Sequence, residues 1–159
     1  MKEFTSKKEK GNTRPSITVD KDGKWYFEGA EIIRKEILSL FYESLHFDDN
    51  GYYLEINGER ARLEVEDTVF LVQGAELVKD SEEAFIIRLN DGTEEQLDLD
   101  TFRIAEGNVP YCLVKEGKFP TRFLRLPFYQ VAQHAQHDEA TDEYYILLNG
   151  RKYPLQGTS

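Results

Sequence analysis

Apolar and polar residues follow two different periods along this chain. The segment ARLEV, residues 61–65, alternates strictly, which predicts a strand with one buried and one solvated face. Residues 30–45 instead carry apolar side chains at helical spacing, which predicts an amphipathic helix. A shorter stripe after Pro127 predicts a second helix, with the proline at its first position. The chain therefore combines strand-forming and helix-forming segments.

Turn signals separate the strand-forming segments. Asn57-Gly58 and Asn149-Gly150 each favour a tight hairpin, because both residues tolerate the positive φ that such a turn requires. Gly74, inside a long apolar run, predicts a bulge. Strands joined by hairpins pair antiparallel, so the pattern predicts an α+β fold with mainly antiparallel sheets. The predicted strands and extended segments cover residues 16–19, 24–27, 52–56, 60–65, 69–78, 84–89, 94–99, 111–114, 122–126, 144–148 and 151–155.

Two stretches of the chain resemble each other. Each contains, in order, a Glu-Gly pair followed by an arginine, a Phe-Tyr pair and a Tyr-Tyr strand that ends in Asn-Gly. The matching segments are 28–34 with 116–122, Phe41-Tyr42 with Phe128-Tyr129, and 52–60 with 144–152. Their spacing changes mainly in the loop after the helix, where insertions are tolerated. The similarity predicts an internal duplication of a strand–helix–hairpin unit.

The duplication divides the chain into four segments. Residues 1–14 carry five basic and two acidic side chains and are predicted to form a disordered basic tail, with a docking arm as the alternative. Residues 15–79 are the predicted first repeat, 80–109 a connecting hairpin, and 110–157 the second repeat. One repeat is too small to bury a good core alone, so the two are expected to pack together or to share sheets.

The composition argues against several classes of function. A net charge of −10 argues against a nucleic-acid or anionic-membrane binder, since both depend on Lys and Arg. The single cysteine, Cys112, lies in an apolar run, which predicts a buried thiol and no intrachain disulfide. No apolar segment has the length of a signal-peptide core or a membrane helix, so a soluble, cytoplasmic protein is expected.

Arginines supply the main candidate for a binding site. Arg34 lies in the first turns of the predicted first helix, where the helix dipole favours an anion over a cation. Either a carboxylate compensates Arg34, or Arg34 and the helix N-terminus hold an anionic ligand. Arg122 matches it in the second repeat, and Arg125 follows three residues later. Guanidinium groups match the geometry of phosphate and carboxylate, so the three arginines predict a site that binds one of these groups of a ligand. The carboxylates considered as partners of Arg34 are Glu31, Glu66 and Asp67.

Two aromatic residues are candidates for stacking against the base of a ligand. Trp25 and Tyr111 occupy matching strands of the two predicted repeats. Their alternative role is packing in the core, and stacking requires that their rings be exposed.

Acidic and histidine pairs offer a catalytic alternative. Glu64 and Glu66 share one face of a strand, either as the carboxylates of a hydrolase or as solvated side chains. His134 and His137 are three residues apart on the predicted second helix, either as metal ligands or as a favourable helix end. There is no nucleophile–base motif, glycine-rich phosphate loop or Cys-x-x-Cys, so no catalytic residue, metal site or cofactor is predicted.

Six runs of the sequence, taken in order, resemble the bacterial domain of unknown function 1285 (DUF1285) family over residues 15–157. The runs are DGKWYFEGAEIIRKEILSLF, GYYLEI, LEVEDTVF, VPYCLVKEG, TRFLRLPFYQVA and GRKYPLQG. The hairpin INGERARLEVED lacks the Thr-Pro segment of the family pattern, and TRFLRLPFY contains one inserted residue, which shifts Arg125. The resemblance implies an internally duplicated α+β fold whose second half is similar to pleckstrin-homology-like folds. It further implies a site between the repeats for a nucleotide-like molecule in signalling, without an established enzymatic activity.

The sequence thus predicts a protein that binds a small anionic, nucleotide-like ligand between its repeats and passes that state to a protein partner. One alternative is an interaction module without a ligand, which would use a sheet face or the basic tail. The other is an unrecognised hydrolase that acts through Glu64 and Glu66 or through His134 and His137.

Overall fold

The computed structural model describes residues 15–157, with side chains through Leu155. The predicted basic tail, residues 1–14, lies outside the described residues. The chain forms two compact units, and the division between them falls between Val69 and Phe70.

Residues 15–69 of the first unit form one helix and a six-stranded sheet. Its elements are β1 (Ile17–Val19), β2 (Trp25–Phe27), β3 (Ala30–Glu31), α1 (Lys35–Glu43), β4 (Leu45–Asp48), β5 (Gly51–Ile56) and β6 (Glu59–Val65). The sheet order is β3-β2-β1-β6-β5-β4, and the β1–β6 pair is parallel while the other neighbours are antiparallel. Trp25 packs on Phe41 and Tyr42 of α1, with ring centroids 5.5 Å apart in both pairs. This aromatic cluster anchors the helix to the sheet.

In its described residues, the second unit contains one α-helix, one short 3-10 helix and two sheets. Its elements are β7 (Phe70–Lys79), β8 (Glu83–Leu89), β9 (Glu94–Gln96), a 3-10 helix (Leu99–Thr101), β10 (Arg103–Ala105), β11 (Val109–Val114), β12 (Phe119–Phe123), α2 (Arg125–Ala132), β13 (Gln136–Asp138), β14 (Glu143–Leu148), β15 (Arg151–Pro154) and β16 (Gln156–Gly157). One sheet has the order β16-β10-β11-β12-β7-β8-β9, and the other is the meander β13-β14-β15. The parallel pairs are β10–β16 and β12–β7.

The two units repeat the same series of elements. Strand, turn, strand, helix and three-stranded meander run from β2 to β6 in the first unit and from β11 to β16 in the second, where β15 and β16 together take the place of β6. A further strand joins both ends of each copy. β1 pairs antiparallel with β2 and parallel with β6, and β10 pairs in the same way with β11 and β16. The predicted α+β class, with two related strand–helix–hairpin repeats and mainly antiparallel sheets, is confirmed. The likeness of the second half to pleckstrin-homology-like folds stays a prediction.

The segment β7–β9 has no counterpart among residues 15–69 of the first unit. The sequence suggests β7 as the end of a first repeat that reaches residue 79, followed by a connecting hairpin. In the structure β7 pairs with β12, through Phe70 and Thr121, as well as with β8. These hydrogen-bonded ladders tie the segment to the second unit, and we call it the added meander.

The helices begin at other residues than the sequence predicts. The first spans Lys35–Glu43 rather than 30–45, because Ala30 and Glu31 pair with β2 and Leu45 begins β4. The second helix begins at Arg125, so Pro127 is its third residue rather than its first. The predicted extended segment 122–126 therefore ends earlier, at Phe123. Short strands follow both helices, and the sequence did not indicate them, because LHFD and QHD are too polar and too short to show a strand period.

The structure also changes which residues correspond in the two copies. Phe41 and Val131 are each the seventh residue of their helix and are both buried, so Phe41 corresponds to Val131 rather than to Phe128. Trp25 lies on β2, which pairs with β1, and Tyr111 lies on β11, which pairs with β10, so the two residues occupy matching strands as the sequence predicts.

Candidate functional site

The two predicted site residues of the first unit have different surroundings. Trp25 is only 1% exposed, so it has the core role and its ring is not accessible for stacking. Arg34 precedes α1 in an extended conformation and donates a hydrogen bond to Glu36 Oε2 at 3.2 Å. Its partner is thus Glu36 rather than Glu31, Glu66 or Asp67. Both side chains of this pair are largely exposed.

The other three predicted site residues lie in the second unit. Arg122 is half-buried on β12, where it pairs across the sheet with Tyr111. The Tyr111 ring lies under the guanidinium of Arg103, whose Cζ is 4.8 Å from the ring centroid. Arg125 is exposed at the first position of α2. Because Arg34 and Leu124 are the capping residues of the two helices, Arg34 and Arg122 do not occupy equivalent positions.

The catalytic alternatives are not assembled into a site. His134 lies in the turn after α2, with its ring 5.5 Å from that of Phe85, and His137 lies on β13 beside Asp142, at 2.9 Å. The predicted helical spacing of the two histidines is therefore wrong. Glu66 accepts a hydrogen bond from the Lys21 amide at 3.2 Å. Among residues 15–157, no group of three or more His, Cys, Asp or Glu side chains could hold a metal ion.

A bulge in β7 shapes the most distinctive surface of the second unit. Val72 pairs with Leu89 and Gly74 pairs with Arg88, so Gln73 is the additional residue and the predicted bulge is confirmed. The amide of Ala75, just after the bulge, donates a hydrogen bond to Gln130 Oε1 of α2 at 3.2 Å. The bulge therefore links the edge of α2 to the sheet.

Arg88 lies across this bulge. A Cβ atom at Gly74 would be 2.7 Å from Arg88 Nη1 and 3.0 Å from its Cζ and Nη2. The guanidinium thus fills the space that a side chain at position 74 would occupy, directly over the backbone of β7. Within the part of the chain that the structure describes, the side chain of Arg88 makes no hydrogen bond or ion pair. Its charge and its donors are available to a ligand.

Arg88 forms part of a groove of about 640 Å³ between α2 and the sheet, which we call the β7 groove. This volume lies within the ~300–1,000 Å³ range of small-molecule sites. Leu126, the second residue of α2, lines the groove and is 71% exposed. The second residue of α1 is the charged Glu36, so the exposed apolar side chain is particular to α2. The lining combines polar and apolar side chains: Gln73, Gly74, Ala75, Glu76, Val78, Ile86, Arg88, Glu94, Leu126 and Gln130.

The β7 groove contains charges of both signs. Glu94 pairs with Arg88 across β8 and β9, and Glu76 lies two residues beyond Gly74. Arg88, Glu76 and Glu94 are all exposed, and none of them forms an ion pair with a described residue. The groove therefore presents one fork of donors and two carboxylate acceptors, all without a partner inside the described chain.

Sequence reasoning missed Arg88, because in the run AFIIRLND it reads as one more solvated position of an alternating strand. A glycine inside a strand is a signal for close approach of another group. The group that approaches Gly74 follows only from the register of β7 and β8, which the bulge shifts.

A second group of charges in this unit has a structural role. Lys115 Nζ donates to Asp91 Oδ2 at 2.8 Å and to Thr93 Oγ1 at 2.9 Å, and the Lys115 amide donates to Glu95 at 3.2 Å. The Asp91 side chain is 7% exposed and that of Lys115 is 29% exposed. Burial raises the pKa of Asp91, but hydrogen bonds from Lys115 and Thr93 outweigh it, so the pKa is lowered overall. We call this group the Lys115 clamp, because it fixes the β11–β12 turn to the added meander.

The cysteine next to this turn is unreactive. Cys112 is buried, and burial raises the pKa of its thiol to about 12. The thiol stays protonated at neutral pH, which excludes a thiolate nucleophile at this position.

Comparison with known proteins agrees with the class that the fold defines, an internally duplicated α+β protein. The model of the DUF1285 N-terminal domain matches residues 8–68, a segment that ends one residue before the first unit does. The predicted resemblance to the DUF1285 family is therefore confirmed, and the match to the family model covers residues 8–68.

Two crystal structures of bacterial DUF1285 family proteins share the fold. The one from Silicibacter pomeroyi DSS-3 is 18% identical and superposes with a TM-score of 0.73, over 90% of this chain and 80% of that chain. The one from Shewanella baltica OS155 is 21% identical, with a TM-score of 0.63, over 75% of this chain and 91% of that chain. No curated protein matches the chain. None of the helices within residues 15–157 is long and apolar enough to cross a membrane.

Proposed function

We propose that the second unit binds a small anionic, nucleotide-like molecule in the β7 groove, and that this binding is the function of the protein in bacterial signalling. The observation that carries the proposal is the guanidinium of Arg88, which lies over Gly74 and has no partner among the described residues. A planar fork of donors matches a phosphate or a carboxylate in a bidentate arrangement.

The two carboxylates of the groove narrow the class of ligand. Glu76 and Glu94 would repel a molecule that carries only negative charge. They favour a ligand that also has hydrogen-bond donors, such as the hydroxyl groups of a sugar or an exocyclic amine. The amides of Gln73 and Gln130 can both donate and accept, and they line the same groove.

The apolar residues of the groove favour a ligand with a hydrophobic or aromatic body. Val78 and Ile86 are half-buried on the sheet, and Leu126 faces them from α2. A nucleotide combines all three requirements, since it has an anionic phosphate, donors on its sugar and base, and a flat base. This combination supports a nucleotide over a simple phosphate or a fatty acid.

A change in α2 could transmit the bound state to a protein partner. Ala75 and Gln130 connect the groove to α2 by a hydrogen bond, and Tyr129 lies next to Gln130 with 55% of its surface exposed. A ligand that contacts Leu126 or Gln130 would alter the surface that α2 presents. We propose this surface as the contact for a partner in the cytoplasm.

The test is a thermal-shift panel of nucleoside mono-, di- and triphosphates, with inorganic phosphate as the simple anion. A ligand at about 100 times its Kd stabilises the folded state by about 2.7 kcal/mol, which corresponds to roughly 5–10 °C for a chain of this size. Arg88→Ala should abolish the shift. Arg125→Ala is the matched control, because it removes an exposed arginine of the same unit that does not line the groove.

Gly74→Ala tests the geometry while it preserves every charge. The new methyl group would meet the Arg88 guanidinium at 2.7 Å and displace it, so ligand affinity should fall although Arg88 is still present. If the shift survives in Arg88→Ala and Gly74→Ala but is lost in Arg34→Ala or Arg122→Ala, the β7 groove is the wrong site. If no compound of the panel shifts the wild-type protein, the proposed function is wrong.

A further inference from the structure

The chain contains two Asn-Gly turns with the same backbone conformation. Asn57 and Gly58, between β5 and β6, have φ values of 54° and 82°, and Asn149 and Gly150, between β14 and β15, have values of 51° and 81°. Both turns are exposed, and each asparagine follows a large aliphatic residue. The two turns therefore have closely similar intrinsic chemistry, and any difference in their reactivity must come from their surroundings.

The two asparagines differ in their hydrogen bonds: Asn149 is bonded to Glu83, and Asn57 has no such partner. Asn149 Nδ2 donates to the Glu83 carbonyl at 2.9 Å, and Asn149 Oδ1 accepts from the Glu83 amide at 2.7 Å. Its own amide donates to Glu83 Oε1 at 3.1 Å. Asn57 makes no hydrogen bond with any residue in the described part of the chain. One side-chain amide is thus held at both ends, and the other can rotate.

From this difference we infer that Asn57-Gly58 is a site of spontaneous deamidation and that Asn149-Gly150 is protected. The deprotonated backbone nitrogen of Gly58 attacks Cγ of Asn57 and forms a new N–C bond. The Cγ–Nδ2 bond then breaks, and ammonia leaves. Water opens the resulting five-membered imide at either carbonyl, which gives aspartate or isoaspartate at position 57.

The reaction requires that the asparagine side chain rotate toward the next backbone nitrogen. In Asn149 that rotation would break both hydrogen bonds between its amide and the Glu83 backbone. Glycine at the following position imposes no side-chain obstruction to the attack in either turn. The hydrogen bonds to Glu83 are therefore what separates the two sites.

A third Asn-Gly pair, Asn50-Gly51, serves as an internal control. Gly51 is the first residue of β5 and pairs with Asp48 of β4, whereas Gly58 lies in its turn, beyond the last pair of β5 and β6. The attacking nitrogen of Gly51 thus belongs to a strand pair. We expect Asn50 to react more slowly than Asn57 in the folded protein.

The experiment incubates the folded, full-length chain at mildly alkaline pH in water enriched in heavy oxygen, followed by peptide mapping. The opening of the imide incorporates the heavy oxygen, so converted residues are distinguished from aspartates that were present before. The expected result is progressive loss of the unmodified Asn57 peptide, with paired aspartate and isoaspartate products, while the Asn149 peptide stays intact. The same incubation in denaturant should convert both sites at similar rates.

Two results would overturn the inference. One is conversion of Asn149 or Asn50 as fast as Asn57 in the folded protein. The other is complete stability of Asn57 in the folded protein together with rapid conversion in denaturant, since this would mean that the turn alone protects it. The proposed ligand has no part in this experiment, so its outcome is independent of the proposed function.

Discussion

The hairpin turns in the two copies of the duplicated element meet different neighbours. In the second unit, the β11–β12 turn is fixed by the Lys115 clamp and the β14–β15 turn is hydrogen-bonded to Glu83. In the first unit, the amide of Glu28 in the β2–β3 turn donates to the Ser16 carbonyl at 2.8 Å, a contact within the copy itself and its flanking strand, and Asn57 has no side-chain hydrogen bond to a described residue. Asp91, Glu83 and Arg88 all come from the added meander. The added meander, which is not part of the duplication, thus supplies the residues that hold the two turns of the second unit and the arginine of the candidate site.

The largest expected loss of stability comes from truncating the buried side chain at the seventh position of each helix. Phe41→Ala should lower the free energy of unfolding by about 3–5 kcal/mol, because it leaves a large cavity beside Trp25. Val131→Ala, at the same helix position of α2, removes fewer buried carbon atoms and should cost less. Urea denaturation followed by circular dichroism measures both variants, and the fluorescence of Trp25, the only tryptophan, reports separately on the first unit. An equal or larger loss in Val131→Ala would contradict the correspondence.

The Lys115 clamp should make the next largest contribution. Asp91→Asn removes the buried charge that faces Lys115 and should cost on the order of 3 kcal/mol, since the ammonium group would lose its ionic partner. Asp100→Asn is the matched control, because Asp100 also contacts a cation, Arg151, at 2.9 Å but lies at the surface. Chemical denaturation followed by circular dichroism compares the two. A control that lost as much stability would show that burial is not the cause.

The clamp also predicts a dependence of stability on pH. The pKa of Asp91 is lower in the folded than in the unfolded protein, so the unfolded chain binds the proton more readily. The stabilisation is therefore complete well above the ordinary value of 3.8 and is lost as the pH falls through the lowered pKa. The difference in unfolding free energy between wild type and Asp91→Asn should shrink in that acidic range. A difference that grew on acidification would contradict the assigned direction.

A smaller effect should distinguish the two Asn-Gly turns. Asn149→Gly removes two hydrogen bonds to Glu83 and should cost about 1–2 kcal/mol more than Asn57→Gly. Glycine accepts the positive φ at both positions, so backbone strain does not contribute to the comparison. Denaturation midpoints of the two variants provide the measurement. Equal midpoints would mean that the contact with Glu83 is weak in solution, and the protection of Asn149 would then lose its basis.

The smallest expected effect concerns surface ion pairs on the meanders. Arg62 contacts both oxygens of Asp48 at 3.0 Å, whereas Lys152 approaches Asp138 only to 3.9 Å. Bidentate geometry favours the first pair, so Arg62→Ala should lower the melting temperature slightly and Lys152→Ala should leave it unchanged. Melting curves at low and high salt provide the test. A larger effect of Lys152→Ala would contradict the geometric argument.

The sequence predicted local features better than pairings between distant segments. The bulge at Gly74 and the Asn-Gly hairpins follow from backbone chemistry within a few residues, and both were found. The assignment of β7 to the second unit depends on its ladder with β12, about fifty residues away, which no local pattern encodes. Arg88 was missed for the same reason, since its importance depends on the residue opposite it. Arg34 was predicted as a ligand-binding residue from its charge and position alone, and in the structure its guanidinium is paired with Glu36, two residues along the chain.

The parallel pairs that complete each copy bear on the order in which the chain can fold during synthesis. The first copy can pair β1 with β6 once Val65 has been made, whereas the second cannot pair β10 with β16 before Gly157. At roughly 5–20 residues per second, the 92 residues between these points (157 − 65) take about 5–20 s to translate. The first unit therefore has time to fold while the ribosome is still extending the second. Protease treatment of nascent chains arrested at increasing lengths should yield a resistant first unit before the second is complete, and simultaneous protection of both units would contradict this order.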